Sequence, residues 1–115
     1  MSATLQDCIF CKIVNKELPT KILFENEECI AFNDIKPASP THILVIPKKH
    51  YKSLFELDDK ELLGKLLLTA KDVAKQAGLN EGFRTVINTG DNGGQTVYHI
   101  HLHVLGGRFH KWPPG

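Results

Sequence analysis

The most informative residues of the sequence are His99, His101 and His103, which alternate with apolar residues near the C-terminus. On a β-strand, alternate side chains point to one face at intervals of about 6.6 Å, so the three imidazoles would share a face. Ile100 and Leu102 would share the opposite face and enter a core. Because histidine is a mediocre strand former, strand propensity does not explain the pattern. The sequence therefore predicts a site built from this row of histidines.

Two kinds of chemistry fit such a row. Imidazole is a common ligand of zinc, copper, iron and nickel, so the row could bind a metal ion. A neutral imidazole is also a nucleophile and a protonated one donates hydrogen bonds to anionic oxygen, so the row could instead act on a phosphate. His42 begins an apolar run and could approach the row from a neighbouring strand.

A glycine-rich segment just before the row favours the phosphate interpretation. Gly90, Gly93 and Gly94 can leave backbone N–H groups exposed and allow an anion to approach closely. Most loops of this composition are only turns, and the position of this one beside the histidines is what makes it informative.

The chain has three cysteines, Cys8, Cys11 and Cys29. An odd number of cysteines without a signal peptide does not indicate a disulfide framework. Cys8 and Cys11 have the spacing of a pair of metal ligands. Cys29 lies in an apolar stretch and is predicted to be a buried thiol that packs as a small hydrophobic residue.

Hydrophobic periodicity predicts the elements that position these residues. A short helix is predicted over 8–14 and a long one over about 59–77, with Asp58 and Glu61 as a capping box and Gly78 as its end. The apolar stripe of the long helix is widened by Leu63, Leu67 and Ala74. Strands are predicted over 22–24, 29–32, 43–46, 83–89 and 96–105, the third of them buried on both faces. This order favours an α+β domain with an antiparallel sheet covered by helices.

Composition limits the class of protein. With 42% hydrophobic and 23% charged residues, residues 1–115 suit a single domain. A net charge of +1 argues against nucleic-acid or strong membrane-surface partners. No segment approaches the roughly 18–20 apolar residues of a membrane span, and the N-terminus lacks the pattern of a secretory signal, so we expect a cytoplasmic protein.

Several motifs together resemble one known family. These are His-Ile-His-Leu-His-Val-Leu over 99–105 and the flanking segments 93–98 and 106–108, with 32–35, 40–42, 45–50 and 112–115 elsewhere in the chain. They are similar to the motifs of the histidine triad (HIT) family, most closely its nucleotide-binding branch, called Hint. The resemblance covers nearly the whole chain from Asp7 onward.

The resemblance implies a HIT-like fold, with a five-stranded antiparallel sheet, one long helix and one short helix. Two such sheets would join into a ten-stranded sheet across a homodimer. The implied activity is hydrolysis of purine nucleoside phosphoramidates and aminoacyl adenylates at the α-phosphate, through a nucleotidyl-histidine intermediate.

The same resemblance assigns roles to individual residues. His101 would be the nucleophile, and the carbonyl of His99 would hold its tautomer. His42, His99 and His103 would orient the nucleophile and contact or protonate groups around the phosphate. Asn88 and Gly94 would help to bind the α-phosphate, and Asp34 would bind the ribose hydroxyls. The base pocket would be lined by Ile9, Phe10, Ile13, Phe32 and Ile35. Trp112 would reach the partner's active site. Plain core packing remains an alternative for the apolar residues.

Two positions depart from the family pattern. Thr96 replaces the usual serine before the triad and keeps a hydroxyl for proton donation, although its methyl group restricts the rotamer. The Cys8 and Cys11 pair is absent from many Hint proteins, but other branches of the superfamily bind zinc with such a pair. The corresponding ligands here would be Cys8, Cys11, His50 and His99. The alternative is two partly buried thiols in a helix, and no metal ion is required for catalysis if histidines and backbone amides neutralise the phosphate.

Three other functions stay open at this point. A dinucleoside polyphosphate hydrolase would need a longer loop to contact a second nucleotide. A nucleotide-binding regulatory module would carry only incidental catalysis. A metal-dependent hydrolase would use the histidine row as ligands.

Overall fold

The computed structural model describes residues 7–115 of the chain. Within this range the α-helices are α1 (Ile9–Val14) and α2 (Lys60–Gln76), and a 3-10 helix spans Leu54–Glu56. The strands are β1 (Ile22–Glu25), β2 (Cys29–Asn33), β3 (Thr41–Pro47), β4 (Arg84–Val86) and β5 (Leu102–Gly106). They form one five-stranded sheet in which each pair of neighbours is antiparallel, in the order β1-β2-β3-β5-β4. The predicted α+β class, with one long and one short helix, is confirmed.

The central strand β3 separates two hydrophobic clusters. Ile43 and Val45 face α2, together with Leu102 and Val104 of β5. Leu44 and Ile46, at the alternate positions of β3, face α1. This alternation explains why the strand is a continuous apolar run, as predicted for a strand that is buried on both faces.

Helix α2 packs through one face against the sheet. Its buried residues are Leu62, Leu66, Thr69, Ala70, Val73 and Ala74. Leu67 was predicted to widen this stripe, but its side chain is 55% exposed, because it points about 100° away from Leu66 around the helix. The opposite face of the sheet is covered by α1, through Phe10, Ile13 and Val14. Cys29 is fully buried, as predicted for a thiol that packs in the core.

The ends of α2 partly match the prediction. Gly78 adopts a φ of +79°, and the N–H of Leu79 bonds to the carbonyl of Ala74, which is the expected left-handed termination. The predicted capping box is wrong. The cap is Asp59, whose Oδ1 accepts hydrogen bonds from the N–H groups of Glu61 and Leu62, both at 3.1 Å.

The two C-terminal strands are shorter than predicted. The strand predicted over 83–89 ends at Val86, and the one predicted over 96–105 begins only at Leu102. The last pair between β3 and β5 joins Val45 to Leu102, and Pro47, two residues on, has no N–H with which to extend the ladder. Residues 96–101 leave the sheet, and the N–H of Ile100 donates instead to the carbonyl of Tyr51 at 2.8 Å.

Within residues 7–115, no helix is long and apolar enough to cross a membrane.

The cap of α2 provides a test of this local assignment. Replacing Asp59 with alanine removes the acceptor for two N–H groups of the first turn, and we expect the free energy of unfolding to fall by about 1 kcal/mol. Chemical denaturation would measure it. Asp58→Ala is the matched control and should change the free energy by less than about 0.5 kcal/mol. A larger loss in the Asp58 variant would contradict the observed cap.

Candidate active site and metal cluster

The three histidines of the row lie on the α1 side of the sheet, although two of them precede β5. Leu102 and Val104 enter the α2 cluster, so the alternate residues point the other way. The rings of His101 and His103 have centroids 4.9 Å apart. Phe10 of α1 packs edge-on against both His99 and His101. The predicted common face is therefore present, and it extends beyond the end of the strand.

His101 is held by the backbone of its neighbour. Its Nδ1 lies 2.9 Å from the carbonyl oxygen of His99, and a carbonyl can only accept, so Nδ1 carries the proton. Nε2 then keeps its lone pair. His101 is only 5% exposed, and this burial lowers its pKa and thereby favours the neutral ring. The arrangement is that of a neutral imidazole with one free nucleophilic nitrogen.

A relay of hydrogen bonds fixes His42 and His103. The N–H of Ala38 donates to Nδ1 of His42 at 2.9 Å, so the proton of His42 resides on Nε2. That nitrogen lies 2.8 Å from Nδ1 of His103 and donates to it. His103 must then carry its own proton on Nε2, which is buried and has no hydrogen-bond partner among the described residues. The contact predicted between His42 and the row is confirmed.

This orphaned N–H suits an anionic ligand, because a buried donor without a partner is costly. Burial, and then the nearby His101 and His42 rings, lower the pKa of His103 to about 4. Asp34 lies at the rim of this group, with Oδ2 3.5 Å from Nε2 of His42 and Oδ1 accepting the N–H of Lys36 at 2.8 Å.

The glycine loop differs from the sequence-based expectation. The N–H groups of Gly90, Gly93 and Gly94 were expected to be free for an anion, but each donates within the loop, to Gln95 Oε1, Gly90 O and Asp91 O respectively. The loop is braced from outside by Asn88, whose amide donates to the carbonyl of Gly93 at 2.7 Å. A side chain at Gly93 would clash with Thr89, since an added Cβ would lie 2.3 Å from its carbonyl oxygen. Gly93 therefore serves close packing, whereas Gly90 and Gly94 adopt positive φ angles of +72° and +80°.

The residues expected to line a base pocket fall into two groups. Phe10, Ile13 and Phe32 are buried between α1 and the sheet. Ile9 and Ile35 are 46% and 89% exposed, so they are available to a ligand and are not core residues.

Two further candidates are exposed. Thr96 lines a cavity of about 470 Å³ beside the cysteines, together with Asp7, Cys8, Ile9, His50, Lys52, Val97 and Tyr98. Trp112 is 81% exposed and stacks under the guanidinium of Arg84.

The first histidine of the row belongs to a different cluster. Nδ1 of His99 lies 3.4 Å from Cys8 Sγ and 3.5 Å from Cys11 Sγ, and 3.2 Å from Nδ1 of His50. Cys11 Sγ also lies 3.2 Å from Nδ1 of His50. The edges of a tetrahedral zinc site with two sulfur and two nitrogen ligands are about 3.3–3.8 Å long. The four side chains therefore fit a zinc ion with little movement.

The tautomer of His99 supports metal binding. Its Nε2 donates to the carbonyl oxygen of Pro47 at 2.8 Å, so Nδ1 presents a lone pair to the cysteines. Asp34, His42 and His103 also lie close enough together to hold a metal ion. There, however, the N–H of Ala38 puts the proton of His42 on the nitrogen that would have to bind the metal. The cluster of Cys8, Cys11, His50 and His99 is therefore the better metal site, and the row is not a single set of ligands.

Sequence reasoning missed several groups that organise both clusters. Ala38 and Pro47 act through backbone atoms, which no residue pattern indicates. Gln95 is buried and accepts the N–H of Gly90 while it donates to the carbonyls of Lys52 and Val97. A lone amide after a glycine loop was the available signal for it.

Comparison with known proteins places this geometry in context. The family model described as "HIT domain" matches residues 15–110. An uncharacterized HIT-like protein of Synechococcus elongatus is 55% identical over 112 residues, covering 96% of this chain and 98% of that protein. A "14 kDa zinc-binding protein" of Brassica juncea is 52% identical, covering 95% of this chain and all of that protein.

Solved structures show the same fold. A HIT family hydrolase from Legionella pneumophila has a TM-score of 0.91 at 49% identity, covering 95% of this chain and 100% of that one. A zinc-bound histidine triad family protein from Mycobacterium smegmatis has a TM-score of 0.82 at 36% identity, with coverage of 89% and 76%. A histidine triad nucleotide-binding protein from Candida albicans has a TM-score of 0.81 at 32% identity, with coverage of 93% and 83%.

The lowered pKa of His103 has a consequence for stability. Because the folded pKa of about 4 lies below the unfolded value near 6.5, the unfolded state takes up the proton first as the pH falls. The free energy of unfolding should therefore fall between about pH 6.5 and 4, and less steeply in His103→Asn. Denaturation across this range would measure both slopes. Equal slopes would show that His103 titrates normally in the folded protein.

Proposed function

The chain belongs to the HIT family, and from this premise we propose that it is a nucleotide-binding hydrolase of the Hint branch. Its substrates would be purine nucleoside 5′-phosphoramidates and aminoacyl adenylates, cleaved at the α-phosphate. The observation that carries the proposal is the hydrogen bond from Nδ1 of His101 to the carbonyl of His99, which leaves a buried, neutral Nε2 free to attack.

The reaction would proceed in two displacements. Nε2 of His101 forms a bond to the α-phosphorus while the bond from phosphorus to the leaving amine breaks. The amine needs a proton, for which the hydroxyl of Thr96 is the candidate donor. Water then attacks the phosphorus, His101 leaves as a neutral imidazole, and the proton lost by the water replaces the one given to the amine. The orphaned N–H of His103 would donate to a phosphate oxygen in both steps.

The other candidate residues would bind the nucleotide. Asp34 would accept hydrogen bonds from the ribose hydroxyls, and Ile9, Phe10, Ile13, Phe32 and Ile35 would surround the base. Asn88 and Gly94 would lie beside the α-phosphate, where Gly94 offers no side chain to obstruct it. Trp112 is sufficiently exposed to contact the site of a partner subunit. Three expectations stay predictions: the homodimer with a ten-stranded sheet, the single domain and the cytoplasmic location. A sedimentation experiment that finds a monomer at micromolar concentration would contradict the dimer.

Replacing the nucleophile tests the proposed activity. His101→Ala should lower the turnover of an adenosine 5′-phosphoramidate by about 10³-fold or more, since it removes the nitrogen that would form the covalent intermediate. Its affinity for AMP should stay close to that of the wild type. Release of AMP, followed by chromatography, measures turnover, and calorimetry measures binding.

The matched control is His110→Asn, which changes a histidine outside both clusters and should turn over normally. Full activity in the His101 variant would reject the nucleophile. A wild-type protein that binds AMP without turnover would instead favour the regulatory module, and preferential cleavage of dinucleoside polyphosphates would favour the alternative hydrolase.

We also propose that Cys8, Cys11, His50 and His99 hold a structural zinc ion. The spacing of their sulfur and nitrogen atoms supports this, as do the relatives whose names record zinc. The ion would attach α1 to the segment that carries the histidine row. The ion would not itself contact the phosphate or the reacting atoms.

Metal binding can be measured directly. We expect about one zinc ion per chain, and cobalt substitution should give the visible absorption of a tetrahedral site with thiolate ligands. When free zinc exceeds its dissociation constant about 1,000-fold, the free energy of unfolding should rise by about 4 kcal/mol. Cys11→Ser should lose both effects, and Cys29→Ser, which changes the cysteine outside the cluster, should keep them. Retention of the metal by Cys11→Ser would reject this ligand set.

A further inference from the structure

His99 connects the two clusters. Its ring faces Cys8, Cys11 and His50, while its carbonyl oxygen accepts the proton of His101. His99 is completely buried, so a displacement of its ring requires movement of the surrounding backbone or side chains. The position of the acceptor that sets the tautomer of His101 therefore depends on how the ring of His99 is held.

The backbone around His99 is not fixed by the sheet. Residues 96–101 precede β5, so no ladder holds the carbonyl of His99. Its anchors are the hydrogen bond from Ile100 N–H to Tyr51 and the bond from the His99 ring to Pro47. A metal ion bound to Nδ1 of His99 would fix the ring at a second point and so restrain the backbone, as strand pairing would otherwise do.

A second connection runs through α1. This helix has only six residues and cannot be stable in isolation. Cys8 caps it and Cys11 lies in its first turn, so a metal ion bound to both would hold the helix in place. Phe10, between the two cysteines, packs against His101 with ring centroids 5.1 Å apart. Fixing α1 thus also fixes one wall around the nucleophile.

We propose that a metal ion in the cluster of Cys8, Cys11, His50 and His99 sets the tautomer and position of His101, with His99 as the positioning residue that links them. Without the ion, Nδ1 of His99 keeps only hydrogen-bond contacts with the two sulfur atoms and with Nδ1 of His50 at 3.2 Å, which hold the ring less firmly than a bond to a metal ion. Movement of His99 lengthens the bond to His101, whose proton can then reside on Nε2. That tautomer has no lone pair with which to attack phosphorus.

The inference rests on the proposed function, since it takes His101 as the nucleophile, but its main readout does not depend on catalysis. Nitrogen-15 NMR of the histidine rings reports the tautomer of His101 directly, at about pH 8 where free histidines are neutral. Assignment comes from the signals lost in His101→Ala. Zinc-loaded and chelator-stripped wild type are compared under the same conditions.

Cys8→Ser is the informative variant, because serine is a good helix cap and a poor zinc ligand. It removes the ligand while the acceptor for the N–H of Cys11 is kept. Cys8→His restores a nitrogen ligand, and Cys29→Ser serves as the control outside the cluster. Circular dichroism verifies that each variant is folded.

The zinc-loaded wild type and Cys29→Ser should show His101 protonated on Nδ1 alone. The stripped protein and Cys8→Ser should show a mixture of tautomers and a single-turnover rate about 10- to 100-fold lower, with the affinity for AMP little changed. Metal-loaded Cys8→His should recover the single tautomer.

One unchanged tautomer with an unchanged rate in the stripped, folded protein would overturn the proposal, and so would a wild-type protein that binds no metal. Activity retained in His101→Ala would reject the proposed function instead. In that case the tautomer measurement still decides whether the two clusters are coupled.

Discussion

The chemistry of this protein depends on the fact that a neutral imidazole has one donor nitrogen and one acceptor nitrogen, so a partner at one nitrogen decides what the other can do. The carbonyls of His99 and Pro47 accept protons from His101 and His99, and each leaves a lone pair on the far side of the ring. The N–H of Ala38 donates to Nδ1 of His42, so the proton of His42 lies on Nε2 and is donated to His103. His103 is therefore left with its own N–H on Nε2. Backbone groups thus give chemically identical side chains different states: a free lone pair on Nε2 of His101, a lone pair on Nδ1 of His99 that faces the cysteines, and an N–H on His103 without a partner among the described residues.

Burial reinforces this division. Removing the rings from water lowers the pKa values of His99, His101 and His103, so the histidines can lie side by side without mutual repulsion of charge. A neutral His101 keeps its nucleophilic electron pair, and a neutral His99 keeps the pair that a metal requires. The same low polarity would strengthen the interaction of an anionic ligand with a donor such as the N–H of His103.

The sheet and helices position these groups through the two faces of the sheet. Helix α2 and the residues it covers form a conventional apolar core, to which the histidines contribute nothing. On the other face, α1 and Phe10 cover the row incompletely and bring the two cysteines to His99. One face therefore supplies stability and the other carries the site, as expected where a rigid scaffold supports functional side chains at the end of a strand.

The sequence by itself determined the class of fold, the long helix with its glycine end, the doubly buried strand β3 and the common face of His99, His101 and His103. Each of these follows from side-chain periodicity, which is a local property. It also indicated the contact of His42 with the row and named the four candidate zinc ligands, although it left open whether they meet.

Only the tertiary structure decided where the strands end, which aspartate caps α2, that Leu67 is exposed, and that the loop glycines use their N–H groups internally. It also divided the histidine row between two clusters. This division depends on Pro47, which lacks an N–H to extend the ladder, on the N–H of Ala38 and on the carbonyl of His99. Every residue has a backbone carbonyl, and every residue except proline has an N–H, so residue type says little about which of these groups will matter. Their effect comes from their position after folding, which residue types and spacing do not encode locally.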